Sequence, residues 1–484
     1  MVPETTGKLP ETSQRAALDR RLALVFFHTF LCPRPYARGR AITGFRVFQQ
    51  PAQAWPKTTV LLNWLIRYGS AWRCRETGWE KPWEGKSMTI RFARRMESVR
   101  TSTIREILKV TEQPEIISFA GGLPAPELFP VDDILRATER VLSETGVAAL
   151  QYSPSEGLAA LRETFAAESR RRGIDCCADD ILIMTGSQQP LDLTGKIFLD
   201  AGDYVLTESP TYMAAIQAFQ TYGARFTSVP TDEEGLIPEE LPALIEREKP
   251  KFLYTIPNFQ NPTGVTLTAE RRKTLYSIAA RYGLIVLEDD PYGALRYAGK
   301  SIFPIKALDT EGIVIYLSTV SKTVAPGLRV GWAVASDEIR AKLTIAKQAA
   351  DLHTSSLDQR IVHRYLADFD SDRHIELIRR SYGERFKIMD ATLRETMPTG
   401  FTWTHPEGGM FLWVTCPQGV NTNELMREAF TRKVLFVPGQ DFFSDAPGQR
   451  FMRLNFSNAS PEQIRVGVGR LAEVCAAAVV QAIG

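Results

Sequence analysis

From residue 180 onward, short apolar runs alternate with longer amphipathic segments, and this alternation limits the folds open to the chain. Short apolar runs predict buried strands, and the amphipathic segments predict helices. Strands that alternate with helices pair in parallel through crossover helices, which predicts a three-layer α/β domain. Ligands of such domains bind beyond the carboxyl ends of the strands. The predicted strands cover residues 181–185, 204–208, 252–256, 284–287 and 314–317, with helices at 188–199, 212–222 and from Thr268 to Gly283.

The pattern changes after about residue 337, where long amphipathic helices dominate. Apolar residues recur at helical spacing between Ile375 and Leu393, and short strands are predicted at residues 410–414 and 451–455. These features predict a second, smaller α+β domain. The resulting division of the chain is an N-terminal extension (1–87), a segment that joins the small domain (88–124), a large domain (125–345) and a small C-terminal domain (346–484).

The first 87 residues differ from the rest of the chain in charge. They contain 14 Lys and Arg against 6 Asp and Glu, a net charge of +8, and they hold five of the eight tryptophans. Prolines interrupt the segment, and it shows neither helical nor strand periodicity. Three interpretations stay open: a disordered extension or translated sequence upstream of Met88, an organelle transit peptide, and a structured element. We expect its removal to leave folding, dimerisation and activity almost unchanged.

Composition excludes several classes of protein. Hydrophobic residues make up 44% and charged residues 24% of the 484 residues, which excludes a mostly disordered chain. No apolar run is long enough to span a bilayer, and a net charge of +2 gives no basic footprint for nucleic acid. Six cysteines without CxxC spacing predict no metal site, and they indicate free thiols in a reducing compartment, the cytoplasm.

Polar side chains follow four of the predicted strands, at the edge of the sheet where a ligand would bind. Gly186-Ser187-Gln188-Gln189 opens a helix, and a helix N-terminus offers backbone N–H groups and partial positive charge to an anion. The other three loops supply an amide, carboxylates, a phenol, a lysine between hydroxyls and an arginine, at residues 257–264, 288–292 and 318–329. Any one loop could be a solvated connection, but the four together indicate an active site.

The motifs in these loops resemble those of the fold-type I aminotransferases, which use pyridoxal 5′-phosphate (PLP). The resemblance covers about residues 99–475 and rests on Asn261-Pro262-Thr263-Gly264, Asp289-x-x-Tyr292 and Ser321-Lys322 followed by Gly327-Leu328-Arg329. Four further motifs resemble the 2-aminoadipate/kynurenine aminotransferase branch, at residues 102–106, 119–124, 151–154 and 351–354. The resemblance implies a large PLP-transferase domain with a mostly parallel seven-stranded sheet, and a homodimer with shared active sites.

The resemblance also implies which residues bind the cofactor. Lys322 would form a Schiff base with PLP and then move the proton from the substrate Cα as general base and acid. Asp289, rather than the adjacent Asp290, would face the pyridine nitrogen and keep it protonated. Tyr212 would stack on the ring, and Asn261 and Tyr292 would bind its phenolic oxygen. The implied phosphate contacts are Gly186, Ser187, Gln188, Thr319, Ser321, Arg329 and, from the neighbouring subunit, Tyr152.

Two arginines are implied to bind substrate. Arg453 matches the arginine that holds the α-carboxylate, and Arg105 matches a mobile arginine that meets a side-chain carboxylate; Gly121, Gly122 and Asn261 complete the substrate site. The implied reaction moves an amino group from a 2-aminoadipate, aromatic or branched-chain type amino acid to a 2-oxo acid such as 2-oxoglutarate. The alternatives are another PLP reaction, such as β-elimination or decarboxylation, and a transcription regulator that carries this fold.

Overall fold

The computed structural model of the protein describes residues 90–96, 115–445 and 447–483, together with the backbone of residues 73–75 and 78–80. The chain divides into two compact units, Met1–Arg91 and Phe92–Gly484. In the first unit, β1 (Arg73–Arg75) pairs antiparallel with β2 (Gly78–Glu80). Most of the N-terminal extension, and Arg105, lie outside the described residues. Within the described part of the chain, no helix has both the length and the apolar character needed to cross a membrane.

The other helices and strands that the structure describes belong to the second unit. Its strands are β3 (Ile117–Ser118), β4 (Ile181–Met184), β5 (Tyr204–Glu208), β6 (Arg225–Val229), β7 (Thr231–Asp232), β8 (Gly235–Leu236), β9 (Phe252–Thr255), β10 (Ile285–Asp289), β11 (Val314–Thr319), β12 (Gly331–Val334), β13 (Thr402–Trp403), β14 (Phe411–Thr415), β15 (Val434–Leu435), β16 (Val437–Pro438) and β17 (Phe451–Asn455). Its α-helices are α1 (Val131–Ala149), α2 (Ala159–Arg171), α3 (Gln188–Phe198), α4 (Met213–Gln220), α5 (Leu241–Glu248), α6 (Ala269–Tyr282), α7 (Asp337–Ala350), α8 (Ser356–Asp368), α9 (Ser371–Thr396), α10 (Thr422–Thr431) and α11 (Pro461–Ile483).

The central sheet has seven strands in the order β4, β12, β11, β10, β9, β5, β6. β12 runs antiparallel to β4 and β11, and the remaining pairs are parallel. Strands β4 and β9 are buried at every position, because both faces of the mostly parallel sheet are covered. The predicted α/β fold with a mostly parallel seven-stranded sheet is therefore confirmed.

Two strands of this sheet, β6 and β12, are not among the predicted strands. β6 lies at the edge of the sheet, and its sequence Arg-Phe-Thr-Ser-Val has only Val229 buried, so it lacks a continuous apolar run. β12 has four residues, begins with a glycine, and starts two residues after Arg329. A polar sequence leaves β6 without the hydrophobic signal on which strand prediction depends. β12 lies in the apolar run of residues 330–335, which the predicted strands do not include.

The smaller α+β region contains a four-stranded sheet in the order β13, β14, β17, β16, with α9, α10 and α11. β3 pairs in parallel with β15, which joins residues 117–118 to this region. One apolar cluster contains Leu287 and Leu317 of the central sheet as well as Phe411 and Leu454 of the smaller sheet. The central sheet and the smaller sheet therefore share one continuous apolar core.

Candidate active site

Lys322 follows the buried strand β11 in a short 3-10 turn, Val320–Lys322. Thr319 begins this turn, and its Oγ1 accepts a hydrogen bond from the backbone N of Ser321 at 3.2 Å. Lys322 Nζ donates to the carbonyl oxygen of Gly122 at 2.9 Å. Burial, together with the positive charges of Arg453 and Arg329, lowers the pKa of Lys322 to about 8. The neutral amine, which is the nucleophilic form, is therefore accessible near neutral pH.

Asp289 is the last residue of β10 and is 2% exposed. Its Oδ2 accepts a hydrogen bond from the hydroxyl of Tyr254 at 2.9 Å. Its Oδ1 is buried and has no hydrogen-bond partner among the described residues. Burial raises the pKa of Asp289 to about 7, and the Tyr254 hydrogen bond opposes that rise. Buried carboxylate oxygens are almost always partnered, so Oδ1 is available to a donor from a bound ligand.

The adjacent Asp290 is also buried but has a full set of partners. Its Oδ1 accepts from Asn258 Nδ2 at 2.9 Å. Its Oδ2 accepts from the Tyr316 hydroxyl at 2.9 Å and from Arg172 Nη1 at 3.1 Å. Asp290 is therefore committed to a network inside the domain and leaves no oxygen for a ligand.

Arg453 lies on β17 and is 2% exposed. Its Nη1 donates to Asn261 Oδ1 at 2.8 Å and its Nη2 to the carbonyl of Ala120 at 2.7 Å, while Nε is buried without a partner in the described chain. The guanidinium lies 4.2 Å from the ring centroid of Phe411 and 5.1 Å from that of Phe442. Burial lowers its pKa to about 10.

The Arg453 guanidinium has no ion-pair partner among the described carboxylates. A buried cation is costly unless it is paired, and a guanidinium presents parallel N–H groups that match a carboxylate. Arg453 can therefore bind the carboxylate of a ligand in a site from which the two aromatic rings exclude water.

Three side chains lie close to Arg453. Asn261 is buried in the loop after β9, accepts from Arg453, and hydrogen-bonds to Tyr292. Tyr292 is buried after β10, and this burial raises the pKa of its phenol. Tyr212 is half-buried at the N-cap of α4, close enough for its phenol to interact electrostatically with both Tyr292 and Arg453. The structure thus brings these predicted site residues together.

The predicted phosphate contacts gather at the connection between β4 and α3. Gly186 adopts φ +68, and a Cβ built there would lie 2.6 Å from Arg329 Nη2, so glycine leaves room for the guanidinium. Thr319 Oγ1 is 2.9 Å from Ser321 Oγ and donates to the Val330 carbonyl at 2.9 Å, which holds these hydroxyls beside the Arg329 loop. Ser187 caps α3 without a side-chain hydrogen bond, and the exposed Gln188 reaches the Ala214 carbonyl at 3.4 Å.

Two of the predicted residues stand apart from this cluster. Tyr152 is 78% exposed, and its ring packs edge-to-face on His353 with 5.7 Å between centroids. Arg105 lies outside the described residues. Of the two glycines, Gly121 is buried, and Gly122 provides the carbonyl that accepts from Lys322.

Several residues that support the site are absent from the sequence-based set. Tyr254, which binds Asp289, belongs to an apolar strand and gives no separate signal. Glu208 ends β5, and its carboxylate accepts from Thr255 Oγ1 at 2.8 Å and from Gln260 Nε2 at 3.1 Å. Burial raises the pKa of Glu208 to about 7. A charged residue at the end of a buried strand is the signal that could have identified Glu208.

The cluster can bind one ligand with several distinct groups. It offers hydroxyls, backbone N–H groups and a guanidinium to an anion, an open carboxylate oxygen to a protonated ring nitrogen, and a second guanidinium to a carboxylate. A lysine amine with a lowered pKa lies between them. This is the donor set that a phosphorylated pyridine aldehyde and an amino acid require together.

Comparisons with known proteins agree with this chemistry. The model of the family described as "Aminotransferase class I and II" matches residues 115–471. Aromatic-amino-acid aminotransferase 1 of Thermococcus litoralis is 45% identical over 388 residues, which cover 79% of this chain and 93% of that protein. The 2-aminoadipate transaminase of Thermus thermophilus is 46% identical over 384 residues, which cover 78% of this chain and 95% of that protein.

A solved structure shares the fold over the same region. It is the crystal structure of LysN, the alpha-aminoadipate aminotransferase of Thermus thermophilus, complexed with N-(5′-phosphopyridoxyl)-L-leucine. It is 42% identical to this chain with a TM-score of 0.76, and the match covers 81% of this chain and 98% of that one.

Proposed function

The chain belongs to the class I and II aminotransferases, and we propose that it moves an amino group from 2-aminoadipate, an aromatic or a branched-chain amino acid to 2-oxoglutarate. It is a PLP-dependent transaminase that acts on amino acid and 2-oxo acid substrates. One observation carries the proposal: Arg453 is a buried guanidinium beside Lys322 without an ion-pair partner in the described chain. The names of its relatives support both acidic and uncharged donors, and one relative binds a phosphopyridoxyl-leucine adduct.

The described residues fit PLP. The unpartnered Oδ1 of Asp289 would accept a hydrogen bond from the pyridine nitrogen, and the raised pKa of this carboxyl, about 7, would fall when a cation faces it. The missing Cβ of Gly186 lets the Arg329 guanidinium lie against the start of α3, where both could donate to a phosphate. Ser187, Thr319 and Ser321 would add hydroxyl donors there, with Gln188 at the helix start. Asn261 and Tyr292 would hold the phenolic oxygen.

In the proposed mechanism PLP supplies an electron sink for the charge that develops when the substrate Cα loses its proton. Lys322 would hold the cofactor covalently through Nζ. Its amine, once released by the incoming substrate amine, would take the Cα proton as general base and return it as general acid. Asp289 would keep the pyridine nitrogen protonated, and Tyr212 would cover one face of the ring.

Arg453 would orient every substrate by its α-carboxylate, which amino acids and 2-oxo acids share. Asn261 would fix the guanidinium from one side, as the 2.8 Å hydrogen bond suggests. Gly121 and Gly122 would leave room for the substrate beside Lys322. Arg105 would bind the second carboxylate of glutamate or 2-aminoadipate and move away for an uncharged side chain.

The active form that we propose is a homodimer with shared active sites. Tyr152 would reach the phosphate of the neighbouring subunit. In support, Tyr152 is 78% exposed, and Val147 and Leu150, which precede it closely in the chain, are 86% and 73% exposed. A second copy of the chain that covered this apolar surface would remove it from water.

We also propose a cytoplasmic location. Cys176, Cys416 and Cys475 are buried and free, and burial raises the pKa of Cys176 to about 11 and of Cys416 to about 12. Such groups remain unreactive thiols, which suits a reducing compartment.

The first half-reaction tests the donor classes: each amino donor is mixed with the PLP form of the protein, and its conversion to the amine form is followed without an acceptor. Turnover of 2-aminoadipate, phenylalanine and leucine with 2-oxoglutarate then tests the acceptor. We expect Arg105→Ala to lower kcat/KM for glutamate and 2-aminoadipate by roughly 10- to 150-fold, the value of one charge-assisted hydrogen bond, and to spare phenylalanine and leucine. The wild-type protein with the same four donors is the control. Equal losses for all four donors would mean that Arg105 does not recognise the side-chain carboxylate. No 2-oxo acid product from any donor would refute the proposed donor classes.

A further inference from the structure

Lys347 is a buried lysine in the last turn of α7, separate from the catalytic lysine. Its Nζ donates to Asp351 Oδ1 and Oδ2 at 2.9 and 3.0 Å, to Gln189 Oε1 at 2.7 Å and to Thr354 Oγ1 at 3.0 Å. These contacts use all of its N–H groups. An ion pair with a buried member adds little net stability over apolar residues of similar size. The role of the Lys347–Asp351 pair is therefore to be found in the neighbouring residues that it positions.

The pair holds the connection between β4 and α3 from both sides. Thr185 directly precedes Gly186, and its Oγ1 donates to Asp351 Oδ2 at 2.8 Å. The backbone N of Thr185 donates at 2.9 Å to Gln189 Oε1, the same oxygen that accepts from Lys347. Residues 186–188, which carry the proposed phosphate contacts, are thus bracketed by Thr185 and Gln189.

The same pair contacts the segment that packs on Tyr152, through the hydrogen bond from Lys347 Nζ to Thr354 Oγ1. His353 donates its backbone N to the carbonyl of Asp351 at 2.8 Å, and its Nδ1 lies 2.8 Å from the carbonyl of Thr354. Leu352 between them adopts φ +66, a backbone region that non-glycine residues rarely occupy without support. The ring of His353 then packs on Tyr152. Residues 351–354 form a motif that the function described so far leaves without a role.

We propose that the Lys347–Asp351 pair is a positioning device for the cofactor phosphate. It fixes the position of the N-terminal end of α3, which would bind the phosphate of the same subunit. It also fixes residues 351–354, which pack against Tyr152, and Tyr152 would reach the phosphate of the neighbouring subunit. Neither residue touches the phosphate; both act through Thr185, Gln189 and His353. This inference rests on the proposed function, because it assumes the phosphate site at Gly186 and Arg329.

Equilibrium dialysis of the full-length protein against graded PLP, and separately against pyridoxal, which lacks the phosphate, tests this role. We expect Lys347→Met and Gln189→Met each to raise the Kd for PLP by about 10-fold, the loss of roughly one strong hydrogen bond. The Kd for pyridoxal should stay within about twofold, because only the phosphate end is affected. Gln189→Met removes no charge, so it provides the test even where Lys347→Met fails to fold.

Two control variants make the outcome decisive. Lys342→Met places the same substitution on an exposed position of the same helix and should change neither Kd. Arg329→Met should raise the Kd for PLP and not that for pyridoxal. Two results would overturn the inference, provided that Arg329→Met still raises the Kd for PLP. One is an unchanged Kd for PLP in both Lys347→Met and Gln189→Met, and the other is an equal rise in the Kd for PLP and for pyridoxal. No effect in any of the three variants overturns the proposed phosphate site as well.

Discussion

Two neighbouring aspartates show how this protein separates a ligand site from its scaffold. Asp290 accepts hydrogen bonds from Asn258, Tyr316 and Arg172 on both of its oxygens. Asp289, one residue earlier and equally buried, accepts only from Tyr254 and leaves Oδ1 without a partner among the described residues. The residue type and burial are the same, and the difference is the number of open hydrogen-bonding positions.

Two buried arginines repeat the contrast with the opposite charge. Arg272 donates to the carbonyls of Leu267, Phe303 and Pro257 and to the side chain of Asn258, at 2.7 to 3.0 Å. Arg453 makes two hydrogen bonds and leaves Nε without one in the described chain. The closed pair, Asp290 and Arg272, belongs to the scaffold. The open pair, Asp289 and Arg453, faces the site. Each of these side chains has an atom without a hydrogen-bond partner in the described chain, and a ligand of opposite charge can supply that partner.

The largest effect should come from Lys322, the buried lysine close to Arg453 and Arg329. We expect Lys322→Ala to lower transamination by at least about 10³-fold, because both the covalent hold on the cofactor and the proton transfer are lost. The absorbance of the lysine-bound cofactor should vanish as well. Lys273→Ala, which removes an exposed lysine paired with Glu270, is the matched control and should leave both unchanged. Near-normal turnover in Lys322→Ala would refute the assignment.

The two aspartates should respond to the same substitution in opposite ways. Asp289→Asn should lower kcat by about 10²- to 10³-fold, the loss of one preorganised electrostatic contact, with little change in stability of the cofactor-bound protein. Asp290→Asn should lower the free energy of unfolding by about 3 kcal/mol, because it leaves Arg172 without its buried partner. Turnover per folded molecule in Asp290→Asn should stay within a few-fold. Urea unfolding and steady-state kinetics on both variants measure this, and reversed results would refute the distinction.

The two buried arginines, Arg453 and Arg272, should differ in the same way, with a smaller effect on activity. Arg453→Met should lower kcat/KM by roughly 10- to 150-fold for every amino donor alike, since all donors share the α-carboxylate. Arg272→Met should lower the melting temperature and leave the donor preference and kcat/KM of the folded protein near the wild-type values. Steady-state kinetics with glutamate and phenylalanine, together with thermal melts, check both. A donor-dependent loss in Arg453→Met would contradict α-carboxylate binding.

The smallest effect concerns the pH dependence of the cofactor-free protein. The pKa of Asp289 is raised to about 7, so the folded protein holds this proton more tightly than the unfolded chain does. Its contribution to stability is therefore present below about pH 4 and is lost as the pH rises through about 7. Asp289→Asn does not titrate, so its stability relative to the wild type should increase between pH 5 and 8, by on the order of 2 kcal/mol. A pH-independent difference in urea unfolding would show that the Asp289 pKa is not raised.

The sequence predicts the fold where local signals suffice. Continuous apolar runs mark β4, β5, β9, β10 and β11, because strands covered on both faces tolerate few polar residues. The polar edge strand β6 carries no such run, and only pairing in the folded sheet defines it. β12 lies in the apolar run of residues 330–335, so the sequence carries a signal for it that the predicted strands do not include.

The sequence predicts the candidate site in the same uneven way. Asp289 ends β10 and Lys322 lies in the turn after β11, and both fall in motifs that resemble those of a known family, so the sequence is enough to select them as candidates. Tyr254 and Lys347 cannot be selected in this way, because their roles depend on partners that are distant in the sequence. Tyr254 is 35 residues from Asp289, and Lys347 is 158 residues from Gln189. Which side chain of a neighbouring strand or helix completes a hydrogen bond is a property of three-dimensional packing, and no local pattern encodes it.

The reversed direction of β12 has a consequence for how the chain can vary. Because β12 turns back beside β11, with Thr319 opposite Gly331, one short connection carries both Lys322 and Arg329. In a parallel crossover these two residues would stand on separate loops that could lengthen independently. In the proposed site, the number of residues between them would set the spacing between the groups that meet the aldehyde carbon and the phosphate of the cofactor. Surface loops usually tolerate insertions. We expect this connection to tolerate none, because an inserted residue would change the distance between Lys322 and Arg329.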